Sequence, residues 1–308
     1  MIKRFVLFAS VAAASLAASA QTDSIASPKR PIWPDIVTSG ASTAIVNAAA
    51  TEILKHSVRE WRPNLENDRA FPSRHTSWAF AASTFLSNSF YRELPWLPLA
   101  SQAAASAVGL QRVHCGAHYG GDVAAGMALG IGSAVLSDFV AGWIFGRPPH
   151  FESAAASFRP SVELTSGVML PLRRSRGWRS GYSAGVRGVL PLSGRWGIAA
   201  TAGAFAVSRN NPGHTVYTPA LEGLTISGGG VWQISPSDGP FAVSVRAEAG
   251  AAYLRRWSAR WAFTATAAVG LRRQLTPRFG AALEAGCSHL TSANLTAFTI
   301  AATSAYTF

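Results

Sequence analysis

From about residue 161 to its end the chain alternates apolar and polar side chains, a pattern that few folds accommodate. In the stretch 241–253, Phe241, Val243, Val245, Ala247, Ala249, Ala251 and Tyr253 fall on one parity, and Arg246 and Glu248 on the other. A period of two is that of a strand with two unlike faces. From Trp261 the pattern repeats, with Phe263, Ala265, Ala267, Val269 and Leu271 on one side and Thr264, Thr266 and Arg272 opposite. Eight such stretches are legible, near 161–171, 181–192, 195–208, 220–234, 240–254, 260–274, 278–290 and 294–308.

An even number of ten- to fifteen-residue alternating strands predicts an eight-stranded antiparallel barrel of the outer-membrane type. Glu163, Arg187, Arg246, Glu248, Arg272 and Glu284 would then point into the lumen and neutralise one another. Trp178, Trp196, Trp232, Trp257 and Trp261 gather toward strand ends, where an aromatic girdle belongs. The last residues, Phe298 to Phe308, resemble the terminal strand of bacterial outer-membrane proteins. A soluble β-sandwich shares the same alternation and stays open at this point. Cys287 has lipid-facing parity and Cys115 lies far upstream, so no disulfide is expected between them.

The first half reads differently. Lys3 and Arg4, the apolar run Phe5–Leu16 and Ala18-Ser19-Ala20 predict a signal peptide over 1–20, hence an exported protein. Helices are predicted over Ser39–Trp61, with Ser39 and Ser42 as candidate caps, and over about Thr76–Tyr91, Pro98–Val108 and Tyr119–Phe145. Asp122 and Asp138 bound fifteen uncharged residues, short for a bilayer crossing, so the last is read as a bundle-core helix. Its Ala/Gly content leaves a membrane-embedded alternative open. The fold class is therefore multidomain α + β: signal peptide 1–20, helical domain 38–146, linker 147–160 and barrel 161–308. Basic and acidic residues nearly balance over 21–150, ten against nine, whereas 151–308 holds fifteen arginines against six acids. Export makes nucleic acid an improbable partner for that surplus.

Three clusters in the helical half carry chemistry. Lys55 and Arg62 are seven apart, so one helix would project both cations from one face, with Pro63 stopping it behind Arg62. Pro72-Ser73-Arg74-His75 turns into a helix whose first N–H groups and Ser73 hydroxyl form a natural anion site. His75 beside it could protonate a departing alkoxide. In Gln111–Asp122, His118 and Asp122 are one helical turn apart, so the carboxylate could hold one ring nitrogen and leave the other nucleophilic. Arg112 supplies a further cation, His114 has no evident partner, and Cys115 is expected to be packed.

Together, Lys55-x6-Arg62-Pro63, Pro72-Ser73-Arg74-His75 and Arg112-x5-His118-x3-Asp122 resemble the three-part signature of the type 2 phosphatidic acid phosphatase superfamily. That superfamily includes bacterial acid phosphatases and vanadium haloperoxidases. The resemblance implies a phosphate pocket in a helical bundle, needing neither metal nor cofactor. Lys55, Arg62 and Arg112 would bind phosphoryl oxygens, and Ser73 and the N–H of Arg74 would complete the cradle. His118 would attack phosphorus, Asp122 would orient it, and His75 would protonate the leaving group. Arg74 stands where the family commonly has Gly, and Gln111 where it has Ser. The implied substrate is a phosphate ester, with lipid phosphates among the classes open to it, met by a periplasm-facing domain tethered among outer-membrane lipids. A vanadate-dependent haloperoxidase and an anchor barrel with a non-catalytic helical domain remain open alternatives.

Overall fold

The structure is a computed structural model that describes residues 33–91, 93–146, 158–172, 177–209, 218–235, 239, 241–255, 257–276 and 278–308. The signal peptide and residues 147–157 of the expected linker lie outside these. Among the described residues, four helices precede an eight-stranded closed antiparallel barrel. The helices are α1 (Trp33–Ser57), α2 (Arg74–Phe90), α3 (Leu97–His114) and α4 (Gly120–Ile144). The strands are β1 (Ser161–Pro171), β2 (Trp178–Ser193), β3 (Trp196–Arg209), β4 (Leu221–Gln233), β5 (Phe241–Arg255), β6 (Trp261–Gln274), β7 (Phe279–Leu290) and β8 (Leu295–Thr307).

Each strand pairs with its sequence neighbour, and β1 closes on β8 from Ser161↔Thr307 to Pro171↔Ala297. Closure removes both sheet edges. The six charged residues with inward parity meet inside. Arg187 Nη1 bonds Glu163 Oε2 at 2.9 Å, and its Nη2 bonds Glu284 Oε2 at 3.0 Å. Arg246 reaches Glu284 at 3.0 Å and Glu248 at 3.1 Å, and Arg272 reaches Glu163 at 3.3 Å. Three arginines and three glutamates thus cancel in a space where an unpaired charge would be costly. Phe158 packs at the terminus end against Val189, Ala199 and Val231.

Helix α1 is inverted relative to a water-soluble helix. Its buried residues are Asp35, Ser39, Thr43, Asn47, Thr51 and Lys55, one per turn, whereas Trp33, Val37, Ile45 and Ile53 are exposed. It begins six residues before the expected start, so the candidate caps Ser39 and Ser42 lie inside it, and Ser42 Oγ bonds back to Thr38 O instead of capping. It also stops earlier, at Ser57. The backbone of residues 60–70 pairs with itself instead, with Glu60 N to Asp68 O at 2.8 Å and Arg62 N to Asn67 O at 2.9 Å. The residue before Pro63 disfavours helix, which makes that exchange favourable. Arg62 is therefore on a loop, and Lys55 and Arg62 do not share a helical face.

Helix α4 packs closely on α2 through Gly126 and Gly130. A Cβ at these positions would lie 2.5 Å from Ser73 O and 2.3 Å from Ser77 O. The bundle is also not separate from the barrel. One core joins Val113, Val123 and Met127 of the helices to Val168, Tyr182 and Ala206 of the strands. Val168, Tyr182 and Ala206 are an odd number of residues from the lumenal Glu163, Arg187 and Thr201, so the bundle docks on the outer wall of the barrel. Gly109 leaves room for the Tyr182 ring, which a Cβ would meet at 2.8 Å, and Ser106 Oγ bonds Ser166 Oγ at 2.5 Å.

Candidate active site

The candidate residues converge at one end of the bundle. Lys55 is in the last turn of α1, Arg62 in the loop after it, Ser73 at the N-cap of α2, and Arg74 and His75 in its first turn. Arg112 is in the last turn of α3, His118 sits in the turn Cys115–Tyr119, and Asp122 is in the first turn of α4. Backbone hydrogen bonds lash these segments together: Ser73 N to Asp122 O at 3.0 Å, and Asn64 N to Gly116 O at 2.9 Å.

His118 is buried, and its Nδ1 lies 2.7 Å from the carbonyl oxygen of Ala70. A carbonyl only accepts, so the proton sits on Nδ1 and the lone pair on Nε2. Burial pulls the imidazole pKa down to about 3, opposed by the Ala70 carbonyl, while the charges of Lys55, Arg62 and Arg112 press it further down. A buried, neutral imidazole facing three cations keeps its lone pair available at any physiological pH.

Asp122 does not take the His118 proton. Its Oδ2 is 3.9 Å from Nδ1 and instead accepts from the backbone N–H of Tyr119 at 2.9 Å, closing a capping box on α4. The one-turn spacing brings the two side chains near, but the His118 turn lies outside the helix and presents its ring to the carbonyl of Ala70 in the 60–70 loop. The Ala70 carbonyl is the partner of His118 that the sequence does not reveal, since any residue carries that oxygen.

Lys55 Nζ donates to Arg69 O at 3.0 Å. Arg62 bonds Glu66 at 3.2 Å through Nη1, while its Nε is buried without a hydrogen-bond partner. Ser73 Oγ shares a bond of 2.9 Å with Thr76 Oγ1. Arg112 Nη1 is 3.4 Å from His75 Nδ1. Because a guanidinium has no acceptor, that His75 nitrogen accepts, and the ring is neutral with its proton on Nε2. Arg74 turns away from the cluster to an ion pair with Glu52. Cys115 is exposed rather than packed, 3.2 Å from Gln111 Nε2. His114 finds its partner in the other half of the chain, with Nδ1 at 2.5 Å from Glu222 Oε1 of β4.

Residues 36–142 match the model of the PAP2 superfamily. Over 119 residues the chain is 28% identical to the Lipid A 1-phosphatase of Porphyromonas gingivalis, covering 39% of this chain and 27% of that protein. Over 71 residues it is 44% identical to the Bacitracin transport permease protein BcrC of Bacillus licheniformis, covering 23% and 33%. The chain thus spans about a third or less of these relatives' lengths. Among solved structures it is similar to Neisserial surface protein A, with a TM-score of 0.39 and 9% identity over 48% of this chain and 97% of that one. It is also similar to Ail of Yersinia pestis, with a TM-score of 0.34 and 13% identity over 49% and 100%.

Proposed function

We propose that the PAP2 superfamily domain at residues 36–142 makes this chain a phosphatase that hydrolyses phosphate monoesters through a phosphohistidine on His118. The observation that carries this reading is the Nδ1 bond of His118 to Ala70 O, which leaves Nε2 as a neutral nucleophile among Lys55, Arg62 and Arg112. Phosphoryl transfer asks chiefly for positioning and for positive charge at the equatorial oxygens. The Arg62 Nε, buried without a hydrogen-bond partner, is one donor left for such an oxygen. Ser73 and the N–H of Arg74 at the start of α2 supply others.

In the first step the Nε2 lone pair forms a bond to phosphorus as the ester P–O bond breaks, and the departing alkoxide takes a proton from His75. A phosphate dianion would draw Arg112 onto its oxygens and free His75 Nδ1 to hold that proton beforehand. In the second step water, deprotonated by His75, attacks phosphorus and the P–N bond breaks, returning both histidines to their starting forms. Asp122 is a positioning residue that fixes the turn carrying His118. Acid-quenched labelling from a radiolabelled phosphate ester tests the scheme: label held on wild type and lost in His118→Ala supports it, and label retained in that variant refutes it.

The barrel we assign to the outer membrane. Ile198, Leu224, Ile226, Phe263, Val269 and Leu271 lie on its outer face and are exposed, an apolar belt that water would not tolerate at this extent. Stacked Trp196 and Trp232 border it at one end, and Tyr253 with Trp261 at the other. From Val245, which pairs with Trp232, to Tyr253 is eight residues, about 20 Å of height for a strand tilted about 40°. The similarity to a lipid A phosphatase makes a lipid phosphate the favoured substrate class.

A further inference from the structure

The bundle docks on the side of the barrel that a bilayer would otherwise cover, and its free surface continues that side. On α4, Leu136, Phe139, Val140, Trp143 and Ile144 are exposed at helical spacing, and on α1 the apolar residues face out while the polar ones face in. An exposed apolar face continuous with a lipid-facing wall has one chemically consistent occupant, the acyl chains of the same membrane.

The height of the pocket in that membrane can be read from the barrel. His114 is tied to Glu222, which lies two residues beyond Leu224, the partner of girdle residue Tyr253. Gly121 N bonds Ser180 Oγ at 2.8 Å, and the Arg179 guanidinium lies 5.6 Å from the Tyr119 ring centre, near the start of β2. The turn bearing His118 is therefore level with the rim of the barrel, just past the aromatic girdle. That rim is the one opposite the paired ends of β1 and β8. Its connections, 172–177, 210–220, 256–260 and 291–294, are on average longer than those at the terminus end, 194–195, 234–240 and 275–278. In bacterial barrels the long loops face the exterior and the short turns the periplasm.

We propose that bundle and barrel share one bilayer, with the pocket at head-group level in the outer leaflet, so that a phosphorylated amphiphile of that leaflet enters it laterally. The substrate part of this statement rests on the phosphatase reading; the placement of the pocket does not. Arg179, Arg209 and Arg255 at the same rim suit a surface of anionic head groups.

Cys115 is a native reporter, exposed three residues from His118. Cells carrying the full chain as Cys287→Ala would be treated with a membrane-impermeant maleimide, with the Cys115→Ser, Cys287→Ala double variant as background and heat-shifted gel migration as the check on folding. Labelling of intact cells as fast as after outer-membrane permeabilisation is expected; labelling only after permeabilisation overturns the placement. In vesicles, long-chain phosphatidic acid should be hydrolysed at least tenfold more efficiently than its water-soluble dibutyryl analogue, and equal efficiency overturns lateral entry. Labelling of intact cells with no phosphate released from either lipid would remove the phosphatase reading and leave the placement standing.

Discussion

At the scale of single residues, His118 takes its orientation from a backbone oxygen, and this changes what substitution should do. His118→Ala should abolish turnover of every ester, while His75→Ala should cost about a hundredfold on an alkyl phosphate and much less on an aryl phosphate, whose phenolate leaves unaided. Equal losses on both esters, measured for the phosphorylation step, would contradict a leaving-group acid. Asp122→Asn keeps the Ala70 bond, so kcat should fall only about tenfold, with a loss of about 1 kcal/mol from the weakened cap. A thousandfold loss would instead make the carboxylate the true partner of the imidazole. The low pKa of His118, about 3, sets the sign of its pH response. Unfolded, the ring would bind a proton near pH 6.5, so its contribution to stability, present above that pH, is lost as pH falls toward 3. The nucleophile itself stays unprotonated, and phosphoenzyme formation, corrected for ionisation of the ester, should show no acid limb between pH 5 and 8.

At the scale of elements, the strands were legible because a period of two is unambiguous over ten or more residues. The expected stretch 161–171 coincides with β1, and the other strands differ by one to three residues at their ends. The lumenal charges followed from the same parity. The helices were less legible at their ends. Nothing local distinguishes Ser57 from Trp61 as the stop of α1, since the decision rests on a non-local pairing of residues 60–62 with 67–70. The three cationic and histidine clusters were readable as motifs, but the Ala70 carbonyl and the divergence of Arg74 toward Glu52 belong to tertiary structure. The Gly126 and Gly130 contacts yield an element-level prediction. Gly126→Val would drive side-chain carbon into Ser73 O and displace the N-terminus of α2 from His118. Activity should fall by more than tenfold while the barrel still shows its heat-dependent shift on a gel.

For the molecule as a whole, the seam between bundle and barrel was invisible in the sequence, because outward Ser166, Val168, Tyr182 and Ala206 look like any lipid-facing residues. Tyr182 fills that seam and is fully buried. Tyr182→Ala should cost about 3–5 kcal/mol of the docking of the two halves, read as separate unfolding of helices and barrel by circular dichroism. Retention of one cooperative transition would show that the seam is not what couples them.

The charged ladder across the lumen also decides what the barrel is electrically. Its arginines and glutamates leave no fixed net charge beside a cavity of about 50 Å³ that Phe158 lines at the terminus end, and Met169, Phe205, Val207 and Leu254 pack the lumen on the rim side. The wall thus encloses a neutral interior closed by apolar packing on the rim side, and planar bilayers containing the protein should show no conductance steps at either polarity. Arg187→Met, which leaves Glu163 with Arg272 and Glu284 with Arg246, should lower the temperature of the barrel's gel shift yet still give no conductance, because the apolar packing on the rim side remains.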